Sequence, residues 1–336
     1  MKILGIETSC DECAAAVVED GRIIHSNIIA TQIAQHTPFM GVVPELASRL
    51  HTQWIIPTVD AALREANLKA HELDGVAVTN RPGLLGSLLV GLSFAKGFAA
   101  THRLPLITID HIRAHLYAPQ MEAPLAYPYL GVLVSGGHTV IARVDGYDQV
   151  ETLGATVDDA IGEAFDKVAK HYHLGYPGGK VIDELARSGN PRAFLFSGST
   201  LPNPLDISYS GLKSGVIHQL DTFWDGASEK SAQNIAASFE RAAVNMLIKR
   251  VRLALQETGL KRISAGGGVA ANTYLRNELA AFRNGGYEVS LPSRTLCTDN
   301  AAMVAGLGYH YLADGHVSSY SEGAHARVSA FKRNNS

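Results

Sequence analysis

The residue pattern predicts an α/β protein made of two similarly built halves, and three observations carry that expectation. Apolar, strand-like runs alternate with segments of helical periodicity. A pattern of strand, small polar tip, return strand and Asp-Gly turn occurs twice, about 126 residues apart. The 336 residues, at about 150 per domain, suit two domains. The expected lobes cover 1–126 and 127–336, with the end of the chain returning to the first.

The first copy of the pattern runs from Ile3 to Asn27. An apolar strand precedes a polar tip at Thr8–Glu12, a second strand covers Ala14–Val18, and Asp20-Gly21 turns into a third. The second copy, Tyr129 to Tyr147, has its tip at Ser135–Thr139, its return strand at Val140–Val144 and its turn at Asp145-Gly146. Asp-Gly between apolar runs is a hairpin signal. Pro44 opens a helix with Leu46, Leu50 and Trp54 on one stripe, a stripe that suits either a core face or a partner surface. Pro57 predicts a kink or break, with a second helix reaching Leu68. Val76–Thr79 reads as a buried strand, followed by Pro82-Gly83, a helix over Ser87–Ala100 and a short strand at Leu106–Ile109. Thr156, with Asp159 three residues on, predicts a helix start, and Ile161, Phe165 and Val168 fall on its inner face. Ser208–Lys213 reads as a polar loop. A long helix over Ser231–Thr258 buries Ile235, Phe239, Ala243, Met246 and Leu253. Arg262–Ser264 is a strand leading into Gly266-Gly267-Gly268, and a last helix begins near Asn300.

A formal charge of −3 argues against an overall basic nucleic-acid binder. The distribution is uneven, however: residues 1–240 carry 17 basic and 26 acidic side chains, and residues 241–336 carry 12 and 6, which leaves room for a polyanion on the later part. Cys10, Cys13 and Cys297 are too few for a disulfide framework, and the lone C-x-x-C lacks the second half of a zinc site. Acidic residues interrupt the apolar opening run, so it does not read as a signal peptide. Leu84–Ala100 is too broken for a membrane span. A cytoplasmic protein without membrane association is expected.

Ser135-Gly136-Gly137-His138-Thr139 lies between two strands, where glycines free backbone N–H groups to face an anion, and Asp11 and Glu12 occupy the matching tip of the first copy. Paired tips of this kind hold nucleotide phosphates in sugar kinases, actin and the heat-shock ATPases. The chain has no G-x-x-x-x-G-K-S/T, and no G-x-G-x-x-G follows its first strand. The Gly266–Ala271 segment allows close approach of a ring or ribose, with Asn272 beside it. Pro177-Gly178-Gly179 precedes a helix holding Asp183, and Asp166 suits a nucleotide hydroxyl or a magnesium-bound water. His111 and His115, spaced i, i+4, share a helix face and suit zinc or iron. Ile112 stands where H-E-x-x-H needs its glutamate, which disfavours a metalloprotease. Asp299, placed at the N-cap of the last helix, is the best third ligand. A metal triad is also foreign to a regulatory ATPase and to a sugar kinase, the other classes in view.

Nine segments together resemble one family: ETSCDEC (7–13), GVVPELASRLH (41–51), DHIRAH (110–115), LVSGGHT (133–139), DDAIGEAFDKVAK (158–170), YPGGK (176–180), YSGLKS (209–214), GGGVAANTYLR (266–276) and CTDNAAM (297–303). They are similar to the TsaD family of tRNA adenosine threonylcarbamoyltransferases, formerly taken for glycoproteases, over roughly residues 3–330. The resemblance implies a duplicated two-lobe, actin-like and sugar-kinase-like ATPase fold with a central cleft. It implies transfer of threonylcarbamoyl from threonylcarbamoyl-AMP to the N6 amine of the adenine 3′ of the anticodon, in tRNAs reading codons that begin with A. One iron or zinc ion would be held by His111, His115 and Asp299. Adenylate contacts would fall on Val134, Ser135, Gly136, Gly137, His138, Asp166, Gly179, Asp183 and Asn272, and ATP, ADP or AMP could occupy the same cleft. Asp11 and Glu12 would lie near the reacting centre, and proton removal would fall to Asp11, Glu12 or His138. Implied partners are tRNA, a paralogous inactive subunit of similar fold, a small P-loop ATPase and an upstream threonylcarbamoyl-AMP synthase. The chain departs from the family pattern at Asp110 (usually Asn), Arg81 (Gly), Cys13 (Thr) and Met40-Gly41. Asp110 is expected to stand as a carboxylate behind a histidine ligand.

Overall fold

A computed structural model describes residues 1–198, 201–222, 226 and 228–327. The chain divides into two compact units, Met1–Pro124 with Thr295–Ser336, and Leu125–Arg294.

In the first unit, β1 (Lys2–Glu7), β2 (Glu12–Glu19), β3 (Ile23–Thr31), β4 (Gly75–Arg81) and β5 (Leu106–Asp110) form one sheet in the order β3-β2-β1-β4-β5. β1, β2 and β3 pair antiparallel through tight connections, whereas β4 and β5 join parallel to β1 through helical crossovers. Leu4 and Ile6 point into an apolar cluster with Ile55, Val59 and Ala62 of the Pro44–Glu65 helix and Leu92, Ala95 and Ala99 of the Leu85–His102 helix. Gly5 faces the other way: a Cβ there would run into the Ala301 carbonyl and Ala305 of the Ala301–Ala313 helix. Covered on both faces, β1 reads as a continuous apolar run rather than an alternating one.

In the second unit, β6 (Tyr129–Val134), β7 (Thr139–Val144), β8 (Val150–Ala155), β9 (Arg262–Gly266) and β10 (Glu288–Ser290) repeat that plan in the order β10-β9-β6-β7-β8. The neighbours and directions are the same, antiparallel across β6-β7-β8 and parallel across β6-β9-β10. The repeated hairpin pattern thus marks the first strands of two sheets of one topology.

Four local expectations need correction. Pro57 lies inside one unbroken helix, Pro44–Glu65. Pro57 and Gln53, whose carbonyl loses its donor, are both on the exposed side, where water can replace the missing bond. The buried residues of this helix are Ala47, His51, Ile55, Thr58, Val59 and Ala62, so Leu46, Leu50 and Trp54 sit half-buried on its flank. Thr156 does not cap a helix. It bridges Ile207 and donates to the Asp159 carbonyl at 2.5 Å, and the helix begins at Ile161, with Ile161, Phe165 and Val168 buried as expected. Ser208–Lys213 is not a loop. Ser208 caps the Tyr209–Asp221 helix by accepting from Gly211 N, while the Asp158 carboxylate accepts from Tyr209 N and Ser210 N at 2.9 and 3.1 Å. That carboxylate comes from fifty residues upstream, beyond the reach of a local pattern. Leu253, expected inside the Ala232–Thr258 helix, is half-buried.

Candidate functional site

Ligands of open α/β sheets gather outside the carboxyl ends of parallel strands. In the first unit those ends are Glu7 of β1, Thr79 to Arg81 of β4, and Asp110 of β5, which leads directly into the His111–Glu122 helix. His111 and His115, one turn apart, are both buried, with ring centres 4.5 Å apart. Asp299 Oδ1 lies 2.9 Å from His115 Nε2 and 3.6 Å from His111 Nε2. One ligand atom from each of the three falls within 4.8 Å of the others, so the residues match a two-imidazole, one-carboxylate metal set.

Behind the set stands Glu7, which is fully buried. Its Oε2 is 3.0 Å from His111 Nδ1 and accepts from Thr79 Oγ1 at 2.5 Å, and its Oε1 accepts from Ser9 N at 2.6 Å. His111 donating from Nδ1 leaves the Nε2 lone pair on the Asp299 side, the tautomer that a metal needs. Burial works against a charged His111, but Glu7 and Asp299 outweigh it and lift its pKa to about 9. His115 is lowered, by burial and by the charge of His111. Two carboxylates around two imidazoles therefore call for positive charge, which a cation would supply. Burial, then Asp299 and Asp11, raise Glu12 well above the usual carboxylate range, and this brings the Asp11–Glu12 tip within electrostatic reach of the same centre.

Asp110 does not serve as the expected backing carboxylate. It caps the histidine helix, its Oδ1 accepting from Ile112 N at 2.9 Å and Arg113 N at 3.2 Å. Its Oδ2 is 3.7 Å from Arg81 Nε, so two of the residues that depart from the family pattern pair with each other. Asp299 is not a cap either. Asn300 caps the Ala301–Ala313 helix through Met303 N, which leaves the Asp299 carboxylate to the histidines.

In the second unit the corresponding strand ends are Val134 of β6 and Gly266 of β9. Ser135 N donates to the His138 carbonyl at 2.8 Å, and His138 N to Ser135 Oγ at 3.1 Å, closing the tip. Gly136 and Gly137 are exposed, and added Cβ atoms there would meet nothing, so packing within the chain does not require glycine at either. Gly162 packs against the Ser135 carbonyl and Gly136 Cα, which sets the N-terminus of the Ile161–His171 helix, with its positive dipole end, beneath the tip. Val134 is fully buried. Gly267, at φ +91, passes over the Val134 carbonyl where no side chain fits, which brings the glycine turn alongside the tip. Beyond it, Asp166 Oδ1 accepts from Gly178 N at 2.7 Å, next to Gly179. Asp183 accepts from Thr273 N at 2.8 Å and Thr273 Oγ1 at 3.0 Å, and Asn272 caps the Thr273–Ala280 helix through Leu275 N.

A family model described as TsaD, tRNA N6-adenosine threonylcarbamoyltransferase, matches residues 23–306. The chain belongs to the tRNA N6-adenosine threonylcarbamoyltransferase family. The family's protein from Treponema denticola is 55% identical over 341 residues, covering 99% of both chains. That from Borrelia duttonii is 47% identical over 335 residues, covering 99% of this chain and 98% of its own. Among solved structures, T. kodakarensis HypF aligns with a TM-score of 0.64 at 15% identity, over 93% of this chain and 48% of that one. Component A of the Acidaminococcus fermentans (R)-2-hydroxyglutaryl-CoA dehydratase aligns with a TM-score of 0.58 at 16% identity, over 93% and 99%. These likenesses carry the fold alone, and the two sheets of one topology agree with it.

For a threonylcarbamoyltransferase-family chain, the sequence pattern missed two buried carboxylates, Glu7 and Glu240. Glu7 closes the strand KILGIE, and a carboxylate directly after the apolar run Ile3–Ile6 is the available signal, because a buried charge needs a partner. Glu240 lies in an ordinary helical pattern, and nothing local distinguishes it.

Proposed function

We propose that this chain transfers the threonylcarbamoyl group from threonylcarbamoyl-AMP to the N6 amine of the adenine 3′ of the anticodon in tRNAs reading codons that begin with A. Its metal, iron or zinc, would be held by His111, His115 and Asp299. The observation that carries this reading is the His–His–Asp set, its two histidines buried and Glu7 behind them, in a chain whose family is that of the tRNA N6-adenosine threonylcarbamoyltransferases. A bound ion supplies Lewis-acid polarisation of a donor oxygen. Every other role falls to the chain. Backbone N–H groups of Gly136 and Gly137 and the N-terminus of the Ile161–His171 helix bind the donor phosphate. Asp166, Gly179, Asp183 and Asn272 orient the nucleoside.

In the transfer, the N6 nitrogen forms a bond to the carbamoyl carbon, the bond from that carbon to the phosphate oxygen breaks, and AMP leaves with the electron pair. The N6 proton must leave as the bond forms, since the lone pair of an adenine amine is delocalised into the ring. That role falls to Asp11, Glu12 or His138, the proton-accepting side chains of the two hairpin tips. The proposal includes the partners that the resemblance implies: tRNA, a paralogous subunit, a P-loop ATPase and the adenylate-forming synthase. It also includes a cytoplasmic location. Among the described residues no helix is long and apolar enough to cross a membrane.

The test is reconstitution with threonine, bicarbonate, ATP, unmodified tRNA and those partners, read by mass spectrometry of the nucleosides. Threonylcarbamoyladenosine is expected with the unaltered chain and not with His111→Ala/His115→Ala. Undiminished product from the double variant would overturn the placement of the chemistry.

A further inference from the structure

Glu240 is a buried carboxylate that the chemistry above leaves unused. It lies on the Ala232–Thr258 helix, is 5% exposed, and receives Asn272 Nδ2 on Oε1 at 2.6 Å. The other end of the same amide is also committed: Asn272 Oδ1 accepts from Leu275 N at 2.9 Å. Only nitrogen can face the carboxylate and only oxygen the backbone N–H, so the amide has one allowed orientation. One of the two Nδ2 hydrogens is used by Glu240, and the second is left for another acceptor. Asn272 ends the glycine turn that follows β9, next to Thr273 and the Asp183 carboxylate.

Stability gives no reason for an acid here. Burial lifts its pKa to about 7 against the lowering effect of the Asn272 bond, and nearby Asp183 raises it further while Arg187 lowers it. An apolar side chain of similar volume would avoid that cost. A desolvated carboxylate bound to the one amide that ends the glycine turn after β9 is better accounted for by what the amide must do.

We propose that Glu240 is the positioning residue of the nucleotide subsite: it locks Asn272 so that the second amide hydrogen is presented to an acceptor on the base or ribose of an adenine nucleotide. This rests on the reading that Asn272 lies in that subsite. The test is AMP binding to the full chain by calorimetry, together with KM for threonylcarbamoyl-AMP and kcat in the reconstituted reaction. Glu240→Leu should weaken AMP about tenfold, the effect of one lost oriented hydrogen bond, and raise KM in step with kcat held within twofold. Glu240→Gln keeps an acceptor and should bind within about twofold of the parent. In an Asn272→Ala background, Glu240→Leu should add less than about twofold, because the effect passes through Asn272. Glu240→Met replaces the leucine variant if the latter does not unfold cooperatively. Parental AMP affinity in the apolar variant, or an undiminished loss in the Asn272→Ala background, overturns the proposal. If the unaltered chain binds no AMP, the nucleotide reading falls first and this proposal with it.

Discussion

Glu7 and Asp299 act on the histidine pair from two sides, one holding the Nδ1 hydrogen of His111 and the other lying beside both Nε2 atoms. Replacing Glu7 by glutamine keeps the size and one acceptor but removes the charge. Metal affinity should fall by about 10- to 100-fold, as for other outer partners of ligating histidines. Competition with a chromophoric chelator measures this without turnover, and unchanged affinity would separate Glu7 from the metal site. Asp159 makes a different electrostatic prediction. Partial burial alone would raise its pKa, but hydrogen bonds from Lys167 and Lys213, at 2.6 and 2.8 Å, and from Ser210 hold it at about 2. A carboxyl depressed in the folded state adds stability that is present above its unfolded pKa and lost as pH falls through the folded value, so the window runs from about pH 4 down to pH 2. Asp159→Asn should cost roughly 2 kcal/mol at pH 7 in urea unfolding, and the gap to the parent should close by pH 2. Residue spacing exposed His111 and His115, because i, i+4 is a local relation. It could not expose Glu7, which reaches His111 only because β1 and β5 end at the same edge of one sheet.

Elements with locally written signals were legible: both hairpins, the long Ala232–Thr258 helix and the β9 strand lie within a few residues of their expected positions. Those governed by distant partners were not. Thr156 resembles a helix cap until Ile207 pairs with it, and the Tyr209–Asp221 helix resembles a loop until Asp158 covers its first N–H groups. Gly267 belongs to this scale, since it lets the turn after β9 cross β6. Gly267→Ala must place a Cβ against the Val134 carbonyl at φ +91, and the expected cost is roughly 2 kcal/mol or more. Gly268 has open space beside it, so Gly268→Ala should cost under about 1 kcal/mol. Equal melting temperatures for the two variants would show that the close approach is not needed.

At the scale of the whole molecule, the repeat of 126 residues was readable as two sheets, because each half carries its own hairpin. What the repeat could not show is that the chain leaves the first unit at Pro124 and rejoins it at Thr295. The Ala301–Ala313 helix then packs on β1, β2 and β4, and nearly all of its residues through Gly308 are fully buried. A fragment of residues 125–294 should therefore unfold cooperatively on its own. Residues 1–124 alone, lacking that helix, should not, as circular dichroism of both fragments on heating would reveal. Cooperative melting of 1–124 would mean that the returning helix is dispensable.

The same detour imposes an order on the birth of the protein. A ribosome finishes the contiguous second unit before it has made the segment that completes the first, so the earlier-made strands wait with one face bare. Between Pro124 and Asp299 lie 174 residues, roughly 9 to 35 s of synthesis at common elongation rates. Throughout that interval His111 and His115 have been translated without their carboxylate. The nascent chain then has two candidate metal ligands and lacks the third, so a set able to hold an ion is completed among the final events of its manufacture.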